Sequence, residues 1–336
     1  MNTYQHGGDI KTFANEVKCR VDEVIDLSSN INFVKPHIDI DFNKLDISAY
    51  PNYDNLYKNV AMHYDVKVDE MELYNGGSVA IFSLFRNLGL SECAVYSPAY
   101  LEYKKAANTF DYNLTNIDRF SSMNDEVKEN SLVVFVNPST PDGCHYDLDE
   151  KLEEWKAKNC TILVDESFIE FTNKTSIINK IKEYNKLYIL KSMTKFFGSA
   201  GIRVATLISN NENIAKLKEV EALWKLSEFD SNYIQVVLKD KNFKSKSSIA
   251  NKLAKEYLLV TLQNSKYIKH IYQSDVNFVL VELKGIKAKE FQKLLTPYKI
   301  MLRDCSNFDG LGEYHTRIAV KSLESMKILK EVLSVC

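Results

Sequence analysis

The chain has 336 residues, more than the roughly 100–200 of one typical domain, so we expect a large domain and a smaller one. Hydrophobic residues make up 45% and charged residues 26%, which is ordinary for a globular protein. A formal net charge of -2 supplies no basic field to attract a phosphate backbone, so nucleic acid is not expected as a partner.

Cysteine and histidine spacing argues against a metal centre. The six cysteines stand far apart without a Cys-x-x-Cys pair, and the six histidines show no ligand spacing. Neither a zinc site nor a disulfide framework is therefore expected. The chain has no apolar run of about 18 residues, and its first residues lack the apolar stretch of a signal peptide. We expect no membrane partner and a cytoplasmic location.

Short apolar runs alternate with helical patterns through most of the chain. The strand-like runs are residues 93–96, 132–136, 162–165, 187–190 and 204–208. Between two of them, residues 147–155 repeat apolar positions every three to four residues, as an amphipathic helix does. This alternation predicts an α/β fold with a doubly wound, mainly parallel sheet.

A second, smaller α+β domain is predicted at the C-terminal end. Residues 276–283 and 316–320 are expected to form antiparallel strands, and residues 322–333 the last helix. A long amphipathic helix over residues 213–240 would join the two domains. We therefore predict an N-terminal arm over residues 1–35, a large domain over 36–225 and a small domain over 226–336.

The first polar motif in chain order is Asn75-Gly76-Gly77-Ser78, directly before the helical pattern of residues 79–85. Free backbone amides at the start of such a helix can cradle a phosphate group. A lone Gly-Gly-Ser is usually a plain loop, so its meaning depends on the motifs that follow.

Two further motifs come directly after strand-like runs. Residues 132–136 lead into the tight turn of residues 137–143, and residues 162–165 end at Asp165. Ligands of an open parallel sheet bind beyond the carboxyl ends of its strands, where both motifs fall. A carboxylate there suits pyridoxal phosphate (PLP), because it would keep the ring nitrogen protonated and let the ring accept the electrons of a carbanion.

The most informative motif follows residues 187–190. It reads Ser192-Met193-Thr194-Lys195 and continues through two glycines to Arg203. A primary amine beside hydroxyls and a guanidinium suits covalent binding of the PLP aldehyde by Lys195, with Ser192 and Arg203 on the phosphate. Ser-x-x-Lys also occurs in serine acyl-enzymes, and an exposed lysine after a strand is the plain alternative.

In this order the motifs resemble those of fold-type I PLP enzymes in the class I/II aminotransferase group. The resemblance includes Ser97-Pro98-Ala99-Tyr100 and runs from His6 to Arg317. It implies a large PLP-binding domain, with Lys195 and Asp165 as catalytic residues. It implies cofactor contacts by Gly77, Ser78, Tyr100, Thr140, Asp165, Ser192, Lys195 and Arg203. Tyr50 matches a residue that reaches the cofactor phosphate of the neighbouring subunit, which implies a homodimer with shared active sites.

Two branches of this group compete: histidinol-phosphate aminotransferase and the threonine-phosphate decarboxylase of cobalamin synthesis. Residues 6–9, 26–32 and 301–311 resemble the decarboxylase branch, and Phe168 stands where the aminotransferase branch usually has tyrosine. The implied substrate contacts are His6, Gly8, Asn32, Arg303 and Arg317. His6 and Arg303 suit a phosphate clamp, although Arg303 in a surface salt bridge is the plain alternative. Arg317 has apolar neighbours, and a buried arginine needs an anion.

The turn departs from the usual Asn-Asn-Pro-Thr-Gly of the group. Thr140 replaces the asparagine that holds the cofactor's ring oxygen, and Asp142 replaces the threonine. With Phe168 lacking a hydroxyl as well, the ring oxygen loses two usual donors.

We expect a PLP-dependent lyase that decarboxylates a phosphorylated amino acid, either O-phosphothreonine or O-phosphoserine. The alternatives are an aminotransferase of the histidinol-phosphate type and a PLP-fold module without activity. If Arg317 fixes the substrate carboxylate in the plane of the cofactor ring, transamination follows instead of decarboxylation.

Overall fold

The computed structural model describes residues 7–336, so the predicted contact of His6 lies outside the described residues. The strands are β1 (Ile25–Asp26), β2 (Met71–Tyr74), β3 (Glu92–Ser97), β4 (Asn113–Asp118), β5 (Leu132–Val136), β6 (Thr161–Asp165), β7 (Leu187–Ser192), β8 (Ala205–Ile208), β9 (Ile268–Ile271), β10 (Phe278–Leu283), β11 (Ile300–Met301), β12 (Arg303–Asp304) and β13 (His315–Ala319). The helices are α1 (Ile10–Val17), α2 (Asp54–Tyr64), α3 (Gly77–Leu88), α4 (Leu101–Thr109), α5 (Asp149–Ala157), α6 (Met193–Phe196), α7 (Asn211–Val220), α8 (Glu228–Val237), α9 (Phe243–Gln263), α10 (Ala288–Leu295) and α11 (Leu323–Val335).

The large sheet has seven strands in the order β2-β8-β7-β6-β5-β3-β4. Neighbouring strands from β7 to β4 run parallel, while β8 runs antiparallel to both of its neighbours. Every residue of β5 and β6 is buried, as expected for central strands covered by helices on both faces. The predicted α/β fold with a mainly parallel sheet is confirmed, and the carboxyl ends of β5, β6 and β7 meet at one edge.

The smaller sheet is antiparallel, with strand order β12-β13-β10-β9. It shares a hydrophobic core with α9 and α11. The antiparallel strands predicted near residues 276–283 and 316–320 are confirmed as β10 and β13. β1 pairs with β11, so the N-terminal segment contacts the C-terminal part of the chain, while the predicted domain boundaries stay predictions. Within residues 7–336, no helix combines the length and apolarity that crossing a membrane requires.

The prediction of one helix over residues 213–240 is wrong. The chain forms α7 and α8 instead, and residues 221–227 between them are not helical. Ser227 accepts a hydrogen bond from the Asp230 amide and so caps the start of α8. Lys225 turns inward and pairs with the buried carboxylate of Glu72. These contacts stabilise a break that the helical pattern does not show.

Candidate active site

A cavity of about 200 Å³ lies at the carboxyl edge of the large sheet, facing the smaller sheet. Asp165 is the last residue of β6 and Ser192 the last residue of β7, so the parallel register brings both to this edge. The predicted site residues that line the cavity are Gly77, Ser78, Tyr100, Thr140, Asp165, Ser192, Lys195, Arg203, Arg303 and Arg317. The structure therefore brings motifs from most of the chain into one site.

The start of α3 forms one end of the cavity. Gly77 and Ser78 open this helix, and the first amides of a helix have no acceptor within it. Ser192 and Arg203 line the same cavity. Helix amides, hydroxyls and a guanidinium are the donors that a phosphate group needs, so this end fits the phosphate of PLP.

Gly76 allows Arg203 to approach the start of α3. Its φ of +84° lies in the left-handed region, and a Cβ added there would collide with the Arg203 guanidinium. Gly76→Ala should therefore lower the affinity for PLP by about tenfold or more, because Arg203 must move, besides costing about 1 kcal/mol of stability. The measurement is a PLP titration of the apoprotein together with its unfolding free energy.

Gly89→Ala provides the matched control for Gly76→Ala. Gly89 has a φ of +63° but no atom within 4 Å of an added Cβ. Gly89→Ala should lower the free energy of unfolding, because alanine is strained at a positive φ, and it should leave the PLP affinity unchanged. Equal affinities for the two variants would contradict the packing of Arg203 on Gly76.

Asp165 is buried and lines the cavity. Its Oδ1 accepts a hydrogen bond of 2.8 Å from the Ser167 amide, and its Oδ2 accepts one of 2.7 Å from the Tyr103 hydroxyl. Burial raises the pKa of Asp165, and the hydrogen bonds from Ser167 and Tyr103 oppose this. A buried carboxylate held by two donors fits the protonated ring nitrogen of PLP. Sequence reasoning missed Tyr103, although it follows Tyr100 at helical spacing.

Lys195 lies in the last turn of the short helix α6 and lines the cavity. Its amine makes no hydrogen bond or ion pair within residues 7–336, so it is available for a ligand. Burial lowers the pKa of Lys195 to about 8, and the charges of Arg317 and Arg203 add to this effect. The uncharged amine, which is the nucleophilic form, is therefore far more abundant at neutral pH than in an ordinary lysine.

The rate at which apoprotein captures PLP should follow this titration. Because the lowered pKa makes the amine neutral above about pH 8, the rate should rise towards pH 8 and then level off. Stopped-flow absorbance with free PLP measures the rate. A rate that keeps rising to pH 10, as for a lysine near its usual pKa of 10.5, would contradict the assignment.

Arg303 and Arg317 face each other across the pairing of β12 with β13. Both are buried, with exposed fractions of 3% and 6%, and both line the cavity. Arg303 donates a hydrogen bond of 2.9 Å to Asn307 Oδ1, whereas the Nε of Arg317 is buried without a partner among the described residues. Like charges opposite each other in a sheet are destabilising, so a bound anion would stabilise this pair.

Arg317 also connects the two sheets. It donates hydrogen bonds of 3.0 Å to Thr140 Oγ1 and to the backbone oxygen of Ser28, and it lies over the ring of Phe278. Phe168 packs edge-on against the same Phe278 ring. Thr140 thus accepts a hydrogen bond from Arg317, and its own hydroxyl proton can be donated to a ligand in the cavity.

Three other predicted residues do not line the cavity. The Asn32 amide donates to Phe196 O and Ser247 Oγ, which ties the N-terminal segment to α9. Gly8 donates its amide to the Ser28 hydroxyl. Tyr50 is 75% exposed and stacks on Trp224.

Within the same N-terminal segment, Ser29 and Asn30 line the cavity instead. Asn30 is buried, and its side chain has no hydrogen-bond partner within residues 7–336. Asn30 therefore faces the cavity and can donate to a ligand, whereas the Asn32 amide is already used within the protein. The predicted substrate contact of Asn32 stays a prediction.

The chain matches the family described as "Aminotransferase class I and II" over residues 48–333 and belongs to that family. Its cofactor is PLP, in agreement with the prediction. The fold-type I aminotransferase architecture is likewise confirmed.

Relatives come from both predicted branches. The chain is 28% identical to the "Putative threonine-phosphate decarboxylase" of Caldanaerobacter subterraneus, covering 99% of this chain and 94% of that one. It is 30% identical to the "L-serine phosphate decarboxylase" of Campylobacter jejuni, covering 86% and 80%. The solved histidinol-phosphate aminotransferase of Clostridium acetobutylicum is 29% identical with a TM-score of 0.82, covering 92% and 98%. The chain also spans 41% of the bifunctional adenosylcobalamin-biosynthesis protein of Leptospira interrogans, at 26% identity over 99% of this chain.

Proposed function

We propose that this enzyme decarboxylates a phosphorylated amino acid, O-phosphothreonine or O-phosphoserine. The observation that carries the proposal is that Arg303 and Arg317 are both buried and lie opposite each other on neighbouring strands. Two adjacent guanidinium groups favour a ligand with two negative charges, as a phosphate monoester has. The names of two relatives specify phosphorylated amino acids of this kind.

The orientation of the substrate would decide the reaction. Bound PLP supplies an electron sink for whichever Cα bond stands perpendicular to its ring. If both arginines hold the phosphate, neither fixes the carboxylate in the ring plane, and the Cα–carboxylate bond can stand perpendicular. That bond breaks, carbon dioxide leaves, and a proton takes its place on Cα. We assign delivery of this proton to Lys195, because its side chain lines the cavity and its amine makes no hydrogen bond or ion pair within residues 7–336.

The second candidate is an aminotransferase of the histidinol-phosphate type. It is favoured by the hydrogen bond from Arg317 to Thr140, because Thr140 is the residue expected beside the ring oxygen of PLP. An arginine there can hold the carboxylate of an amino donor in the plane of the ring. The proton on Cα would then be lost in place of carbon dioxide.

We also propose a homodimer. Tyr50 and Trp224 stack with ring centroids 4.1 Å apart on the surface. Ile47 and Leu223, near these two in the chain, are 84% and 72% exposed, and exposed apolar patches mark interaction surfaces. Tyr50 would reach the cofactor phosphate of the second subunit from this patch, and sedimentation of the purified chain tests for the dimer.

A substrate panel tests the proposed reaction. The holoenzyme is incubated separately with O-phosphothreonine, with O-phosphoserine, and with histidinol phosphate plus 2-oxoglutarate. Carbon dioxide and an amino-alcohol phosphate are expected from at least one of the first two, without any 2-oxo acid. Glutamate formed from the third mixture, with no carbon dioxide from the others, would replace the proposal with the aminotransferase.

A further inference from the structure

We propose that Tyr103 is a positioning residue for the cofactor ring, through a hydroxyl that orients Asp165 and a ring that supports Tyr100. The inference rests on the proposed pairing of Asp165 with the ring nitrogen of PLP. Tyr103 does not line the cavity, so it acts through these two residues.

Tyr103 lies in the first turn of α4 and is fully buried. Its hydroxyl donates to Asp165 Oδ2 over 2.7 Å, across 62 positions of sequence. Together with the Ser167 amide on Oδ1, this hydrogen bond fixes the plane of the carboxylate. The remaining lone pairs of the carboxylate are free to meet a donor in the cavity.

The ring of Tyr103 has a second contact. It meets Tyr100 edge-on, with ring centroids 6.4 Å apart and an interplanar angle of 86°. Tyr100 in turn lies 3.2 Å, hydroxyl to hydroxyl, from Ser78 at the start of α3. One buried side chain therefore supports both the residue expected to stack on the PLP ring and the residue expected to pair with its nitrogen.

The chemistry explains why a hydroxyl is needed at this position. Asp165 has no ion-pair partner among the described residues, and burial opposes its charged form. A donated hydrogen bond stabilises a carboxylate and disfavours its protonation. Tyr103 thus keeps Asp165 ionised and correctly oriented, and only an ionised carboxylate can hold the protonated ring nitrogen.

Tyr103→Phe removes the hydroxyl and keeps the ring contact with Tyr100. The test measures dissociation constants of PLP and of its 1-deaza analogue, which has carbon in place of the ring nitrogen. Wild type should bind PLP more tightly than the analogue. Tyr103→Phe should weaken PLP binding by about tenfold, the usual effect of losing a hydrogen bond to a charged group. It should leave binding of the analogue within about twofold, because the analogue makes no contact that requires an ionised Asp165.

Tyr112→Phe is the matched control. Tyr112 belongs to the same hydrophobic cluster, and its hydroxyl donates to the backbone oxygen of Phe85 away from the cavity. This variant should show a loss of stability and no change in either dissociation constant. Equal weakening of PLP and the analogue by Tyr103→Phe would show a merely structural role and overturn the inference, as would unchanged binding of both.

Binding of PLP and of the analogue to the wild type distinguishes a failure of this inference from a failure of the proposed site. If wild type binds PLP and the analogue equally, Asp165 does not hold the ring nitrogen, and the proposed site fails together with the role of Tyr103. If wild type discriminates between the two and Tyr103→Phe discriminates equally well, the site stands and the role of Tyr103 is refuted.

Discussion

Replacing Lys195 with alanine should abolish the visible absorbance of the purified enzyme and its turnover. Lys195 lines the cavity, and its amine has no hydrogen-bond or ion-pair partner among the described residues. It is also the group assigned to deliver the proton to Cα. Loss of a positioned proton donor alone costs about 10²–10⁴-fold in rate. Absorbance spectra and the rate of product formation at saturating substrate measure both effects.

Lys244→Ala is the control for this variant. The Lys244 amine is paired with Glu170 outside the active-site cavity, and its side chain is 58% exposed. Lys244→Ala should leave the visible absorbance spectrum and the rate of product formation unchanged. An undiminished visible band in Lys195→Ala would show that another amine binds the cofactor and would refute the assignment.

Removing either arginine of the facing pair should lower activity strongly and stability only slightly. Arg303→Met and Arg317→Met should each lower kcat/KM for the phosphorylated substrate by about 30- to 4000-fold, since losing one partner of a buried charge pair costs about 2–5 kcal/mol. The ligand-free enzyme should lose little stability, because removal of a buried like-charge contact offsets the loss of the hydrogen bonds that each arginine donates. Steady-state kinetics and chemical unfolding of the ligand-free enzyme provide these values.

Comparing serine with O-phosphoserine as substrates shows whether the two arginines bind the phosphate group. If both grip the phosphate, the variants should use serine and O-phosphoserine with nearly equal, low efficiency. Arg86→Met, at a half-exposed arginine that pairs with Glu221, should change neither activity nor substrate preference. Retention of strong preference for O-phosphoserine in Arg317→Met would assign Arg317 to the carboxylate, and activity within about threefold of wild type would refute both roles.

Local patterns predicted much of the fold. The buried strands β5, β6 and β7 are short apolar runs ending at turn or polar residues, which the sequence shows directly. The break between α7 and α8 was not predictable in this way. It depends on the pairing of Lys225 with Glu72, which is distant in sequence.

The same distinction applies to the site. The convergence of Lys195, Asp165 and the start of α3 could be predicted. Each belongs to a motif that is recognisable in the local sequence, and ligands of a parallel sheet bind at the carboxyl ends of its strands. The hydrogen bond between Tyr103 and Asp165 depends on how α4 packs on β6. The facing of Arg303 and Arg317 depends on the register of β12 with β13. Asn30 lines the cavity and Asn32 does not, because their side chains point in different directions in an irregular segment.

The product formed in heavy water tests decarboxylation most directly. Holoenzyme acting in D2O on O-phosphoserine, or on O-phosphothreonine if the panel shows that only this substrate reacts, should release one carbon dioxide per substrate, because the Cα–carboxylate bond breaks. The amino-alcohol phosphate, which is 2-aminoethyl phosphate from O-phosphoserine, should carry one deuterium on the carbon that held the carboxylate, because a deuteron from the solvent takes its place. Mass spectrometry and NMR of the product show both features. A phosphorylated 2-oxo acid formed without carbon dioxide would contradict the proposed reaction.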